Sequence, residues 1–396
     1  MNITLGAYLL SGTPGYRQAG IHQYIKALIE ALAARPEVLS GEFKLTALIG
    51  PTVRNQLSLP NPHPERLLSN LNSPISILPS AHNTESPLMR LRVEQMETPR
   101  VLREGRADVY HGMAFVAPLR AHCPTVITVH DLSFITRPET HKLMNRAYLN
   151  VLTRLSCRRA ARIIAVSEWT KRDVVSLLGI PNNRVDVIPH GAHARYRPLP
   201  AEEVTAFRAS SHIGAAPAIF FLGSLEPRKN LPALIDAFSA VLTRIPDAEL
   251  FVGGSPGWKY QAIFDRITAL GLKDKVRFIG QIAQDQLPLW YNACDVFAYP
   301  SLYEGFGMPV LEAMACGAAV VTSNVTAMPE VVGDAGLMVS PDDVHGLAEA
   351  LAGVLTNADL RAALREKSLR RADGFTWDRA AGMTLETYRQ THQNHP

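Results

Sequence analysis

The sequence has little cysteine, no long apolar run and no acidic triplet of the kind that grips a metal and a phosphate together. Only four cysteines, Cys123, Cys157, Cys294 and Cys316, occur in 396 residues. They are scattered and no pair has metal-ligand spacing, which tells against a disulfide framework and a zinc site; reduced, buried thiols are expected. No window approaches about 18 uninterrupted apolar residues, so no membrane-spanning helix is expected. The start, "MNITLGAYLLSGTPGY", has no basic leader and reads as a first strand rather than a signal peptide. Charged residues make up 19% of the chain and the net charge is +4. Lys and Arg are spread along the chain, so no nucleic-acid stripe is expected. The mild positive balance suits anionic ligands without demanding them. No Asp-x-Asp triplet and no histidine cluster is present, so neither a metal nor a cofactor is expected.

What is present is core material and alternation. Hydrophobic residues make up 47% of the chain, and the length suits two domains of ordinary size. "NITLGAY" reads as a strand, and a glycine-containing loop leads into "IHQYIKALIEALAA". There Ile21, Tyr24, Ile25, Leu28, Ile29 and Leu32 keep helical spacing. "FKLTALI", "TVITVHD", "RIIAVS" and "VDVIPHG" read as strands, with helices at about 139–160 and 168–178 between them. Residues 50–100 read as long loops with one short helix near Leu88 to Leu102. A second alternating series runs from "AIFFLGSL" to "AAVVTS". Repeated βαβ units imply right-handed crossovers and mainly parallel sheets covered on both faces. The expected architecture is α/β, with two doubly wound Rossmann-like domains facing across a cleft. Residues 1–195 would form an N-terminal domain and 196–373 a C-terminal domain. Residues 374–396 would form a helix returning to the N-terminal domain.

In open parallel sheets ligands bind beyond the carboxyl ends of the strands. One such loop is "YEGFGMPVLEAMACG", where Glu304 lies in the loop and Glu312 one turn into the following helix. Gly305 and Gly307 permit close backbone approach, and the amides of Gly307 and Met308 lie at a positive helix end. Two carboxylates at one mouth suit a ligand with several hydroxyls, such as a sugar or ribose. A second loop is "GSLEPRKN", with Asn230 as the expected N-cap and Pro232 in the first turn. Arg228 and Lys229 just before a helix start make a site for a diphosphate. A third loop, "SGTPGYRQAGIHQY", places Gly20 where a backbone amide could approach the same phosphates.

These motifs resemble the retaining GT-B glycosyltransferases of the family called glycosyltransferase group 1 or family 4. The match runs through the Gly20 loop, "VHDLSF", "AVSEWTKRD", "VIPHG", "FLGSLEPRKN", "YPSLYEGFGMPVLEAMACG" and "NVTAMPEVVGDAGLMVSPDD". The resemblance implies that Glu304 holds hydroxyls of the donor sugar and Glu312 the donor ribose. Arg228 and Lys229 would bind the donor diphosphate. Amides of the run Phe306, Gly307, Met308, Pro309, Val310 and Leu311 would contact sugar and phosphates. His130 would lie beside the donor sugar, with Asp131 helping to place it. Many relatives carry an arginine where this chain has Ser224, and Arg228 would supply that charge. The paired glycines common in the N-terminal loop are Ala19-Gly20 here.

"EPRKN" with "VHDLSF" most resembles bacterial mannosyltransferases that build exopolysaccharide or O-antigen. GDP-mannose is the first expected donor and UDP-glucose the second. The expected acceptor is a glycan or a polyprenyl-linked glycan. The protein would be cytoplasmic, with the inner face of the cell membrane as the alternative location. The Arg-rich stretch from Lys142 to Arg162, with Arg146, Arg154, Arg158 and Arg159, reads either as a solvated face or as a face resting on anionic lipid. His111 and His190 are cleft-lining candidates only, and Ser167 reads as a helix cap. A sugar-nucleotide 2-epimerase and a non-catalytic sugar-nucleotide-binding subunit share the fold and remain alternatives. A phosphorylase would need a pyridoxal-bearing lysine motif, which is not seen.

Overall fold

The computed structural model describes residues 1–11, 20–53, 75–140, 143–257 and 259–395. The chain divides into two compact units, one of Met1–Gly191 with Trp377–Pro396 and one of Ala192–Thr376.

In the first unit, the described residues form a parallel sheet of seven strands. They are β1 (Asn2–Gly6), β2 (Lys44–Ile49), β3 (Ile75–Pro79), β4 (Val109–Gly112), β5 (Thr125–Val129), β6 (Arg162–Ala165) and β7 (Val185–Val187). Their spatial order is β3-β2-β1-β4-β5-β6-β7. Every residue of β5 is buried, as expected for a central strand with both faces covered. The helix Ile21–Ala33 buries Tyr24, Ile25, Leu28, Ile29 and Leu32, the face that its spacing dictates. Ser167 caps the helix Glu168–Leu178 by accepting the Thr170 N–H at 3.0 Å.

In the described part of 50–100, β3 is a strand where only loops were expected. Most of the remaining stretch, 54–74, lies outside the described residues. The helix expected near Leu88 to Leu102 is Pro87–Arg92, a wider π turn Val93–Glu97, and Thr98–Glu104. The C-terminal helix Trp377–Gln393 packs on Ile21–Ala33.

In the second unit, the described residues form a six-stranded parallel sheet of order β10-β9-β8-β11-β12-β13. The strands are β8 (Ala218–Leu222), β9 (Glu249–Gly253), β10 (Val276–Gly280), β11 (Val296–Tyr299), β12 (Val320–Ser323) and β13 (Leu337–Val339). The chain runs outward from β8 through β9 to β10, and from β11 through β12 to β13 on the other side. The crevice between β8 and β11 is therefore the switch point at which doubly wound sheets bind ligands. The loops holding Arg228 and Glu304 leave these two neighbouring strands. Among the described residues no helix is long and apolar enough to cross a membrane.

Candidate active site

After β8 the chain turns through a single 3-10 turn, Pro227–Lys229, and enters the helix Leu231–Leu242. Asn230 stands at the N-cap position, but its side chain does not cap. It takes a left-handed φ of 56°, and its amide nitrogen donates instead to the Pro341 carbonyl at 2.8 Å. This bend turns Arg228 and Lys229 toward the loop that follows β11. The Leu302 N–H donates to the Arg228 carbonyl at 2.8 Å, and the Arg228 guanidinium donates to the Tyr303 carbonyl at 2.7 Å. The two loops are thus stitched together in both directions.

At this junction Glu304 Oε1 is crowded with donors. Lys229 Nζ lies at 2.7 Å, Ser301 Oγ at 2.6 Å, Arg228 Nη1 at 3.0 Å and the Tyr299 hydroxyl at 3.1 Å. The Glu304 N–H is held by Thr326 Oγ1 at 3.1 Å. Burial pushes the Glu304 carboxyl up, but Arg228 and Lys229 outweigh it and hold it down at about 2. Burial and the neighbouring Arg228 pull the Lys229 ammonium below its ordinary range. Arg228 also pairs with Glu226 at 2.8 Å. The two cations expected to wait for a diphosphate are therefore already matched by two carboxylates.

Glu312 belongs to a separate set of groups. It projects from the second turn of the helix Met308–Ala315 and accepts the Tyr291 hydroxyl at 2.9 Å. Burial raises its carboxyl to about 7, and Tyr291, Tyr196 and Arg195 only partly oppose this. The helix begins at Gly307, whose φ is 98°. That left-handed φ strains any residue with a side chain, and a Cβ there would also push on the Met328 methyl 2.2 Å away.

The run Phe306 to Leu311 does not present a continuous set of amides. Pro309 has none, and the Val310 and Leu311 N–H groups already donate to the Gly307 carbonyl at 3.0 and 3.2 Å. The N–H groups of Gly307 and Met308 donate to no described group and remain available at the helix start.

His130 and Gly20 lie in the first unit. Gly20 stands at the N-cap position of Ile21–Ala33 with φ 37°; Ala19 and the loop before it lie outside the described residues. His130 follows β5, and its Nε2–H donates to the Met113 carbonyl at 3.0 Å. Burial lowers the imidazole to about 4, so it is neutral, with Nδ1 as the acceptor nitrogen. Asp131 accepts the Ser133 N–H at 2.9 Å and hydroxyl at 2.6 Å.

His111 lies within β4, fully buried, with its ring nitrogens bound to Tyr388 and Thr128. Several guanidiniums of the Arg-rich stretch turn to the protein's own groups. Its helix is Leu143–Arg159, and Lys142 lies outside the described residues. Arg154 donates to the Leu177 carbonyl at 2.9 Å, Arg159 to the Leu119 carbonyl, and Arg162, in β6, to Asp186.

Sequence reasoning missed the groups that hold the two glutamates: Tyr299 and Ser301 on the Glu304 carboxylate, Thr326 on its N–H, and Tyr291 on the Glu312 carboxylate. Tyr299 and Ser301 stand in the quoted "YPS", where two hydroxyls at a strand end were the available signal.

The family model for glycosyl transferases group 1 matches residues 204–371, and that for Glycosyltransferase Family 4 matches residues 19–195. The O-antigen chain mannosyltransferase B of Escherichia coli is 31% identical over 292 residues, 73% of this chain and 76% of that one. The serotype-specific mannosyltransferase WbdA of Escherichia coli is 30% identical over 281 residues. That match takes in 68% of this chain, which spans only 34% of the length of WbdA. The sucrose-phosphate synthase of Thermosynechococcus elongatus superposes with a TM-score of 0.78 at 18% identity, covering 99% of both chains. The chain belongs to the group 1 / family 4 glycosyltransferases and has their GT-B fold.

Proposed function

We propose that the protein transfers a mannosyl group from GDP-mannose, with retention of configuration, to a hydroxyl of a glycan or polyprenyl-linked glycan in polysaccharide biosynthesis. The observation that carries the nucleotide-sugar reading is the Arg228–Lys229–Glu304 cluster at the switch point between β8 and β11. The relation to O-antigen mannosyltransferase B favours mannose.

In this reading the diphosphate docks on Arg228, Lys229 and the available amides of Gly307 and Met308. Glu304 accepts hydroxyls of the transferred sugar, Glu312 accepts those of the ribose, and His130 offers Nδ1 on the sugar side. The bond between the anomeric carbon and the phosphate oxygen breaks as the acceptor oxygen bonds to that carbon. The acceptor's proton leaves with the diphosphate. Cations and helix-end amides aimed at the departing charge supply most of the acceleration, and holding donor and acceptor together supplies the rest. No step calls for a divalent ion.

The test is release of nucleoside diphosphate from a panel of nucleotide sugars with excess EDTA and methyl α-mannoside as acceptor. Product configuration is read by NMR. GDP release from GDP-mannose with an α-linked product is expected. Release from UDP-glucose alone would move the donor assignment. Conversion of a nucleotide sugar to its epimer, or no release from any donor, would overturn the reading. Recovery of lost activity by Mg²⁺ would overturn the metal-free step.

A further inference from the structure

Behind His130, four side chains from four elements form one hydrogen-bonded chain. The Tyr388 hydroxyl of the C-terminal helix lies 2.6 Å from His111 Nδ1. His111 Nε2, on β4, lies 2.8 Å from Thr128 Oγ1 on β5. Thr128 Oγ1 lies 2.9 Å from the Tyr24 hydroxyl in the first turn of Ile21–Ala33. All four residues are buried. His111 is neutral, since burial lowers it to about 3, so it offers one N–H and one lone pair. Where His111 Nδ1–H donates to Tyr388, Thr128 donates to Nε2 and accepts from Tyr24; where Tyr388 donates to Nδ1, Nε2–H donates to Thr128, which can either donate to Tyr24 or accept from it on its second lone pair. Each arrangement satisfies every bond in the chain.

The chain ends on a ring that touches His130. Tyr24 meets the His130 imidazole edge-on at 4.6 Å, and Phe115 meets the same imidazole edge-on at 5.6 Å. Phe115 is held at φ 60° while its N–H donates to the Thr128 carbonyl at 2.9 Å. A bulky residue in the left-handed region persists only where its surroundings hold it there. Thr128 lies on β5 two residues before His130, which follows the strand. Tyr24 also belongs to the turn that starts at Gly20, with its N–H on the Gly20 carbonyl at 3.0 Å. One hydroxyl thereby ties the start of Ile21–Ala33 to the strand that carries His130.

We propose that Tyr24 is a positioning residue. Anchored through Thr128 and His111 to Tyr388, it fixes the His130 imidazole and its spacing from Gly20 for the transfer step. This rests on the reading of His130 as a sugar-side group. Thr128 is the middle link, so removing its hydroxyl leaves both His111 and Tyr24 short of a partner. Removing the hydroxyl of Tyr24 or Tyr388 shortens the chain by one end.

The test is a double-mutant cycle on the full chain, read as kcat and KM on whichever of GDP-mannose and UDP-glucose the unaltered protein turns over. The melting temperature is read alongside. Tyr24→Phe is expected to lower kcat about 10-fold with KM for the donor within about 2-fold, and Thr128→Val to lower kcat further. Thr128→Ser, which restores the hydroxyl, is expected to return kcat to within about 2-fold. On a His130→Ala background, Tyr24→Phe is expected to add less than about 2-fold, because its effect passes through the missing imidazole. An equal loss on both backgrounds overturns the proposal and leaves the role of His130 standing. So does a lower melting temperature with kcat unchanged. Full kcat in His130→Ala, or no turnover of either donor by the unaltered protein, overturns the reading of His130 and the proposal with it.

Discussion

Glu304 and Glu312 stand eight positions apart on one loop and helix, and they are almost equally hidden, at 7% and 8% exposure. Burial pushes both carboxyls up, yet one titrates at about 2 and the other at about 7. The difference lies in the donors. Glu304 receives two cations, a phenol and a serine hydroxyl. Glu312 has the phenols Tyr291 and Tyr196 and the more distant charge of Arg195. A phenol gives a hydrogen bond but no charge, so it only partly offsets desolvation. At neutral pH the first carboxylate is fully ionised and locked to its cations, and the second is about half protonated.

The linkage signs are opposite. The stability that Glu304 contributes is present above about 4.5 and is lost as pH falls toward 2. The contribution of Glu312 is present below about 4.5 and is lost as pH rises through about 7.

The comparison breaks most severely at Glu304. Glu304→Gln leaves the buried Lys229 and the half-buried Arg228 facing an amide, and urea unfolding at pH 7 is expected to show a loss of about 3 kcal/mol, in the range for a broken buried pair. Donor turnover should fall about 100-fold, because sugar orientation is lost. Binding of the free nucleoside diphosphate should persist or tighten, since both cations are released. Weakening as large as that caused by Glu312→Gln would refute the sugar assignment.

Arg228→Ala and Lys229→Ala attack the same cluster from the other side. Each should lower kcat/KM by about 100-fold through lost stabilisation of the leaving diphosphate. Near-normal turnover in both would show that the diphosphate binds elsewhere.

Glu312→Gln should weaken the nucleoside diphosphate and the intact donor alike, by about 10-fold, as loss of a charge-assisted hydrogen bond predicts. Calorimetry at pH 6 and pH 8 sharpens this. Affinity in the unaltered protein should rise with pH as Glu312 ionises, and the variant should be flat over that interval. A pH dependence that survives the substitution would assign the titration to another group.

Glu94 extends the comparison to the first unit. It is buried in the π turn Val93–Glu97 with the Tyr148 hydroxyl at 3.2 Å, and burial raises its carboxyl to about 7. It repeats the environment of Glu312, a buried carboxyl with a phenol as donor. Glu94→Gln should stabilise the protein by about 1 kcal/mol at pH 8 and change nothing near pH 4, where the carboxyl is already neutral. Equal shifts in melting temperature at both pH values would contradict this.

Periodicity revealed most of the second unit, because its helices and strands are local and its crossovers regular. The same rule placed Arg228, Lys229 and Glu304 on loops after strands and Glu312 in the helix that follows, and the structure finds them there. It did not show that Glu304 would already pair with both cations, because the pairing joins loops 75 residues apart. β3 was missed because its Pro- and Asn-rich surroundings mask a short edge strand with only Ile75 and Ile77 facing inward. Tyr24 was legible only as one more residue on an apolar helix face. Its hydroxyl partner is a threonine 104 residues away, a distance at which spacing carries no information.

The C-terminal helix sets a timetable for biosynthesis. Tyr388 meets His111 across 277 residues of chain, and the whole of the second unit is translated between them. At about 5–20 residues per second, the nascent first unit waits for tens of seconds with its central histidine short of one partner and part of its helix-facing surface bare. A holdase that shields this surface should therefore engage the nascent chain until Trp377–Gln393 has cleared the ribosome. Chains stalled just before Trp377 should be captured and cut by protease far more readily than chains stalled after Gln393.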